Sequence, residues 1–409
     1  MATGHWPAFL KIENLDKTMA NINLKNAKSS KNDEFYTQYN DIQSEINAYI
    51  DFNPNVFKDK TILLPCDDPE WSNFTKFFIN NFERYGLKKL ISTSYAPNSK
   101  PKEISYQPTL FESIDPRFDE NKTLEKGKIF VLTKDENNDG KIDEKDLKWN
   151  YLEGDGDFRS EEVKLLRNEA DFIITNPPFS LFREFFNWLV ESEKQFLVIG
   201  NMNAVSYNEI FPYLRNNKVW LGNNCDKNGG AMFYEIPESI ANLEQVREVK
   251  ETKDGKKVYI TRVQGVRWFT NIEHGKRHEK LKLMTEADNI KFSRHKEIKD
   301  KGYLHYNNFD AIDVPFLDAI PSDYKGVMGV PRSFFDKYNP EQFEIVGTDT
   351  KEQSAEIGIQ PIGEEWVRKY KEAGGTGHIT ANMRNLSYID FDGIPKTPYA
   401  RILIKHKEN

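Results

Sequence analysis

The sequence predicts an α/β sheet with an antiparallel edge. Two patterns say so. Short apolar runs at Thr61-Ile62-Leu63-Leu64, Leu90-Ile91-Ser92-Thr93, Asp171-Phe172-Ile173-Ile174-Thr175 and Phe196-Leu197-Val198-Ile199 alternate with segments of helical period. Later, shorter runs at Val219-Trp220-Leu221, Lys257-Val258-Tyr259-Ile260 and Val266-Arg267-Trp268-Phe269, with the turn Asp254-Gly255 among them, read as hairpins. Strand-helix alternation followed by hairpins is the mark of such a mixed sheet.

In chain order, residues 1–30 form a polar tail with Lys25, Lys28 and Lys31 at spacings of three, a solvated face or an arm that touches a polyanion. Ile42, Ile46, Tyr49 and Ile50 then share one helical face, and Thr37 stands where it can cap that helix. The first strand runs into Pro65-Cys66-Asp67-Asp68-Pro69. Acids just after a buried strand cost desolvation unless a cation or hydrogen-bond donors meet them. No GxGxxG follows, so nothing invites a dinucleotide pyrophosphate. Ser72-Asn73-Phe74 opens an aromatic-rich helix with Phe77, Phe78 and Phe82. The strand Leu90–Thr93 lacks a terminal acid suited to a ribose, and 95–125 reads as an irregular excursion. Gly154-Asp155-Gly156-Asp157-Phe158-Arg159-Ser160 is a turn with Ser160 placed to cap the next helix.

Asp135 to Asp146 fits a calcium-loop spacing, with Asp135, Asn137 and Asp139 at alternating ligand positions, Gly140 at the turn, Asp143 at a water-bridged position and Asp146 closing the loop. An acidic turn without an ion explains the same residues. Val131-Leu132 precede the loop as a strand, so the entering helix of an EF-hand is not expected.

The 409 residues are enough for two domains or one large domain with an appendage. With 30% charged residues, mean hydropathy −0.71 and no apolar stretch near the roughly 18 residues of a membrane span, a soluble protein is expected. Met1–Lys31 has no signal-peptide core, which points to the cytoplasm. Cys66 and Cys225, far apart, suit neither a disulfide framework nor a zinc cluster, and the seven histidines show no HExxH spacing. Net charge −7 does not suggest a general nucleic-acid binder, so any nucleic-acid contact must come from a local basic surface. The stretch 275–301 is such a place, with a net +4 that includes Lys276, Arg277, Lys280 and Lys282. A solvated helix face is the competing explanation.

Asn176-Pro177-Pro178-Phe179 is the chemical centre of the chain. Two prolines at a strand's end hold the preceding residues extended and remove two donors, leaving free carbonyls beside one carboxamide. In open α/β sheets, ligands bind at this edge. An aromatic amine attacks poorly because its lone pair is delocalised into the ring. The Asn176 carboxamide oxygen and the Pro177 carbonyl can grip both amine hydrogens and draw the nitrogen toward a tetrahedral shape. Phe179 supplies a face for an extruded base. Ser180 is placed to cap the following helix, on which Leu181, Phe182, Phe185, Phe186, Leu189 and Val190 recur. For four residues alone, a Pro-Pro loop closing a strand is as good a reading.

The stretches Asp33 to Tyr39, Cys66-Asp67-Asp68-Pro69 with Ser72-Asn73-Phe74, Gly154 to Ser160 and Thr175 to Phe182 resemble, taken together, the EcoRI-type family of DNA adenine-N6 methyltransferases. The match continues through Trp268 to Asn271, Asn308 to Ile312, Tyr324 to Pro331, Asn339 to Glu344 and Arg401 to Lys405, nearly everything after Lys31. The resemblance implies a doubly wound, mostly parallel, seven-stranded fold binding S-adenosylmethionine. It places Tyr36 and Thr37 near the cofactor's methionine end, Asp67 or Asp68, with Pro69, at its ammonium group, and Asp157 with Phe158 at its adenine. It assigns the flipped base to Asn176, Pro177, Pro178 and Phe179. It also implies a catalytic domain at 31–273, with the calcium-like stretch 135–146 as an insertion, and a target-recognition region at 274–409. The expected partners are double-stranded DNA and a restriction endonuclease acting on the same site, with the chain itself a monomer. The alternatives are methylation of an RNA amine or a protein glutamine, since the same jaw suits any such NH₂, and an idle DNA-binding module. Phe179 in place of Tyr and about 135 trailing residues favour a base in DNA.

Overall fold

The computed structural model describes residues 36–67, 72–96, 117–224, 230–236, 246–251 and 257–407. The tail 1–30, Asp68, Pro69, the side chain of Tyr36 and the turn Asp254-Gly255 lie outside these residues, as does 97–116 of the expected irregular stretch. The chain divides into two units, Met1–Asn201 with Asn224–Ile272 and Met202–Asn223 with Glu273–Asn409.

The first unit is α/β, built on a large mixed sheet. Its middle strands Lys89–Ser94, Thr61–Leu64, Phe172–Thr175 and Gln195–Asn201 run parallel in that spatial order. Thr61–Leu64 and Phe172–Thr175 are buried at every position, which is why they read as unbroken apolar runs. Antiparallel strands continue on both sides: Lys128–Leu132 and then Lys148–Tyr151 beyond Lys89–Ser94, and Val266–Thr270 beside Gln195–Asn201. The sequence placed antiparallel structure at one edge only. Glu120–Glu125, within the expected irregular stretch, is a short helix capped by Asp119.

The expected hairpin section is divided between two sheets. Lys257–Gln264 pairs with Val246–Glu251 and Ala231–Ile236, which in turn pairs with Tyr36–Thr37, giving a separate antiparallel sheet. Gly265, at φ +71°, turns the chain from this sheet into Val266–Thr270 of the other, a conformation that favours glycine.

Three helices carry the aromatic core. Tyr39–Phe52 buries Ile42, Ile46 and Tyr49 as its period demands, but Thr37 does not cap it: Thr37 lies in a strand and the N-cap is Gln38, without a side-chain bond. Asn73–Asn80 is capped by Ser72, whose Oγ accepts the Phe74 N–H at 3.1 Å, and it buries Phe74, Phe77 and Phe78. Phe57 packs edge-on against Phe78 and Phe172, joining helix to sheet. Each such ring stabilises the fold by about 1.5–3 kcal/mol. Phe182–Val190 buries Phe182, Phe185, Phe186, Trp188 and Leu189. Ser180 does not cap it, because Phe179–Leu181 form a 3₁₀ turn that moves the N-cap to Leu181. A Cβ at Gly200 would strike the Phe182 ring, so this strand position must be glycine for the helix to sit there.

The second unit is built on a sheet ordered Leu304–His305, Ala311–Asp313, Val327–Pro331, Arg401–His406, Phe343–Thr348, with the helices Glu286–Phe292 and Glu364–Glu372. Its core gathers Tyr306, Ala311, Ile359, Leu386 and Leu403. The Asp313 carboxylate is buried against the Arg401 guanidinium, at 2.8 Å from Nε and 3.3 Å from Nη2, and accepts the Tyr306 hydroxyl at 2.5 Å. Among the described residues, no helix is long and apolar enough to cross a membrane.

Candidate active site

Asp67 and Asn176 lie just past the C-terminal ends of two neighbouring parallel strands, and Asp67 ties this edge together. Its Oδ1 accepts the Ser72 hydroxyl and its Oδ2 the Thr175 hydroxyl, each at 2.6 Å. Its carbonyl accepts the Thr75 hydroxyl at 3.0 Å and that of Ser92, and its N–H donates to the Thr93 carbonyl at 3.1 Å. The desolvation of Asp67, which the sequence expected a cation or hydrogen-bond donors to offset, is met in part by hydroxyls of the protein itself. One carboxylate joins the ends of two parallel strands to the cap of the helix Asn73–Asn80. Thr175 was not foreseen as a site residue, though a hydroxyl closing an otherwise apolar strand just before Asn176 was the visible signal.

Thr37 lies against the same helix start. Its carbonyl accepts the Asn73 carboxamide at 2.8 Å, while its Oγ1 is buried without a hydrogen-bond partner among the described residues. A buried hydroxyl left open is a place for a ligand's polar atom.

The turn 154–160 docks on the end of strand Lys89–Ser94. Ala96 N–H donates to the Asp155 carbonyl at 2.8 Å and Gly127 N–H to that of Gly154 at 3.0 Å. Gly156, at φ +86°, lies so close to the Ser94 carbonyl that a Cβ would collide with it. Asp157 is held by Arg159, with Oδ2 at 2.6 Å from Nη2 and Oδ1 accepting the Arg159 N–H at 2.8 Å. Burial pulls the Asp157 pKa upward, but these bonds outweigh it and keep the carboxyl below the usual range. Arg159 also reaches Glu184 at 2.9 Å, a connection the sequence reading missed. Phe158 is a core residue, 4% exposed, and its ring packs edge-on against the Phe185 and Trp188 rings, with the Arg159 guanidinium 5.4 Å over it.

In Asn176-Pro177-Pro178-Phe179, Pro177 is buried and the other three are half-buried. The jaw is narrower than expected. The Pro178 carbonyl accepts the Leu181 N–H at 3.0 Å, so it is not free. The Pro177 carbonyl accepts no hydrogen bond from the described residues.

The loop 135–146 turns its acids onto its own backbone. Asp135 Oδ2 accepts the Gly140 N–H, Asn137 Oδ1 that of Asp139, Asp139 Oδ1 that of Lys141 and Asp143 Oδ1 that of Lys145, all at 2.8–3.0 Å. Asp146 accepts from Glu136, Asn137 and Asp143, and the Asp143 bond leads in lowering its pKa. Among the described residues, no group of three or more His, Cys, Asp or Glu is arranged to hold a metal.

Of the basic residues singled out in the second unit, Lys280 and Lys282 are exposed. Arg277 is not a surface cation. It is 5% exposed, lies 3.5 Å over the Trp220 ring, donates to Asn217 at 2.6 Å and pairs with Glu273 at 3.2 Å. Lys276 donates to the Asn223 carbonyl at 2.8 Å. A solvated-face count of charges could not separate these packed cations from the two exposed ones.

The family model described as adenine-specific methyltransferase EcoRI matches residues 23–407. The type II methyltransferase M.EcoRI of Escherichia coli is 36% identical over 335 residues, covering 81% of this chain and 91% of that protein. The type II methyltransferase M.MpnI of Mycoplasma pneumoniae is 32% identical over 78% of this chain and 83% of its own. M.MgeORF184P of Mycoplasma genitalium, also a type II methyltransferase, is 35% identical over 78% and 84%. No solved structure matches. A match across nearly the whole chain and its site segments means that this chain belongs to the EcoRI family of adenine-specific methyltransferases.

Proposed function

We propose that the chain methylates N6 of adenine at a specific sequence in double-stranded DNA, as the modification enzyme of a type II restriction-modification system. The family membership supports this. The observation that carries the chemistry is the seating of Asn176 and Pro177 at the end of a central parallel strand, tied through Thr175 to Asp67. We read the large sheet, which has eight strands where seven were expected and only four of them parallel, as the doubly wound methyltransferase sheet, 31–273 as catalytic and 274–409 as target-recognising. The expected setting is the cytoplasm, with the chain a monomer and a restriction endonuclease acting on the same site.

In this reading the Asn176 Oδ1 and Pro177 carbonyl accept the two N6 hydrogens of a flipped adenine. That weakens delocalisation of the nitrogen lone pair into the ring and aims it at the methyl donor. Phe179 stacks on the extruded base, and Pro178 fixes the turn. S-adenosylmethionine, when bound, supplies an electrophilic methyl group and needs no metal. The chain offers it Thr37, with its open buried Oγ1, beside Tyr36; the Asp67-Asp68-Pro69 segment for the ammonium; and Asp157 with the Phe158 backbone for the adenine. Incubation with methyl-labelled cofactor and a duplex, followed by digestion to nucleosides, is expected to yield labelled N6-methyladenine. Label in RNA or protein would transfer the reading to another amine, and DNA binding without transfer would make the chain an idle module.

Lys280 and Lys282 are proposed to meet phosphates. Lys280→Ala/Lys282→Ala is expected to weaken binding on every sequence and flatten the plot of log affinity against log salt by about 0.9 for each phosphate no longer neutralised. Lys276 is a lesser contributor because it already holds a carbonyl. An unchanged salt slope in titrations by anisotropy would return these lysines to the solvated face.

A structural calcium ion at 135–146 is a second proposal. It is favoured by Asp135 Oδ1, which is buried without a hydrogen-bond partner among the described residues, and by the loop's spacing. It requires Asp146 to exchange its N–H partners for the ion. Binding to the folded state alone raises stability by mass action. Calorimetry is therefore expected to give a higher Tm in calcium than in chelator for the native chain, and equal values for Asp135→Ala/Asp139→Ala. Identical melting of the native chain in both would leave the loop a capped turn.

A further inference from the structure

The second unit carries an open surface depression of about 570 Å³. Its walls come from 306–310 and 358–362 and are locked by one buried residue. Asn308 donates from Nδ2 to the Gln360 and Asn385 carbonyls, each at 2.8 Å, and its Oδ1 accepts the Ser387 N–H and hydroxyl at 3.0 and 3.1 Å. The Gln360 N–H returns to the Asn308 carbonyl at 2.9 Å and the Asn307 N–H donates to the Ser387 carbonyl at 2.7 Å. With its carboxamide satisfied four times over, Asn308 makes a preorganised wall.

The side chains left at the rim are polar. Asn307, Asp310 and Gln360 are exposed. Among the described residues Asn307 and Asp310 make no side-chain hydrogen bond or ion pair, and Gln360 makes one, from Nε2 to the Gly358 carbonyl at 3.0 Å. Half-buried Phe309, packed on the core, adds an apolar face. The lining contains no lysine or arginine. A phosphate would find no cation in the lining itself, since Arg384 is engaged behind it on the Ile359 carbonyl at 2.5 Å, and would meet the Asp310 carboxylate. A wholly apolar ligand would strand the two amides. A planar group with donors and acceptors along its edge suits both: carboxamides pair with adenine N6 and N7, and a carboxylate accepts from cytosine N4.

We propose that this open depression reads a base edge of the DNA target, with Asn307, Asp310 and Gln360 as specificity-determining residues. The inference rests on DNA being the substrate. The test is methylation of a duplex library, randomised around the wild-type site, by the full chain and by Asn307→Ala, Asp310→Ala, Gln360→Ala and the triple variant, followed by sequencing of methylated positions. These side chains are exposed, so the variants keep the fold, and Tm is measured to confirm it. The expected result is discrimination lowered about tenfold or more at one or two base positions, with preference elsewhere retained. An unchanged site in the triple variant overturns the assignment, as does a uniform loss on all sequences with preferences intact. A wild type that methylates no duplex would sink the premise and the assignment together, whereas a sharp wild-type site shared by the variants sinks the assignment alone.

Discussion

Asn176→Ala is expected to lower kcat by about 100- to 1,000-fold while binding of S-adenosylhomocysteine stays near the native value. The size follows from analogy with removal of one preorganised hydrogen-bonding group from a site that must stabilise changing charge, about 2.7–4 kcal/mol. Preorganisation has a visible source. Thr175, the residue before, is buried and bonded to Asp67, which is itself fixed by Ser72. The carboxamide therefore needs little ordering when the adenine arrives, and its loss falls on the transition state. Single-turnover methyl transfer together with calorimetric titration separates the two effects. Near-native turnover in the variant would remove Asn176 from the chemistry, and loss of cofactor binding in step with turnover would make it a structural residue.

Arg401→Met should destabilise the second unit by about 3–5 kcal/mol, the usual cost of leaving a buried carboxylate without its partner. Asp313 is 4% and Arg401 8% exposed, so water cannot replace the missing guanidinium. Only the Tyr306 hydroxyl would remain on Asp313 among the bonds described above. The double variant Asp313→Leu/Arg401→Met should recover much of the loss, because the pair's mutual attraction roughly offsets its own desolvation. Urea unfolding of the full chain provides the check, with the two units allowed separate transitions. A single variant within about 0.5 kcal/mol of the native protein, the range of an ordinary surface change, would show that the pair is dispensable.

Much of the site was legible because it depends on local backbone chemistry. A β-rich apolar run stopped by two prolines places Asn176 at a strand's end whatever the rest of the chain does. Ser160 was readable as a cap because a cap is an interaction over two or three residues. Ser180 and Thr37 obeyed the same local rule and failed, one displaced by a 3₁₀ turn and the other drawn into a strand by Ala231–Ile236 far along the chain.

The sequence by itself determined the alternation of strand and helix, the order of the site segments and, through its resemblance, the family. Tertiary structure alone decided which charges are available. Asp67 meets hydroxyls from 5 and 108 residues away, and Arg277 is covered by Trp220 from another segment. Tertiary structure also divided Lys257–Gln264 and Val266–Thr270 between two sheets at Gly265, and put antiparallel strands on both sides of the parallel ones. The reason is range. Propensity, capping and periodicity act over a few residues and can be read along the chain, whereas the partner that satisfies a buried charge or completes a sheet edge is chosen by packing between segments distant in sequence.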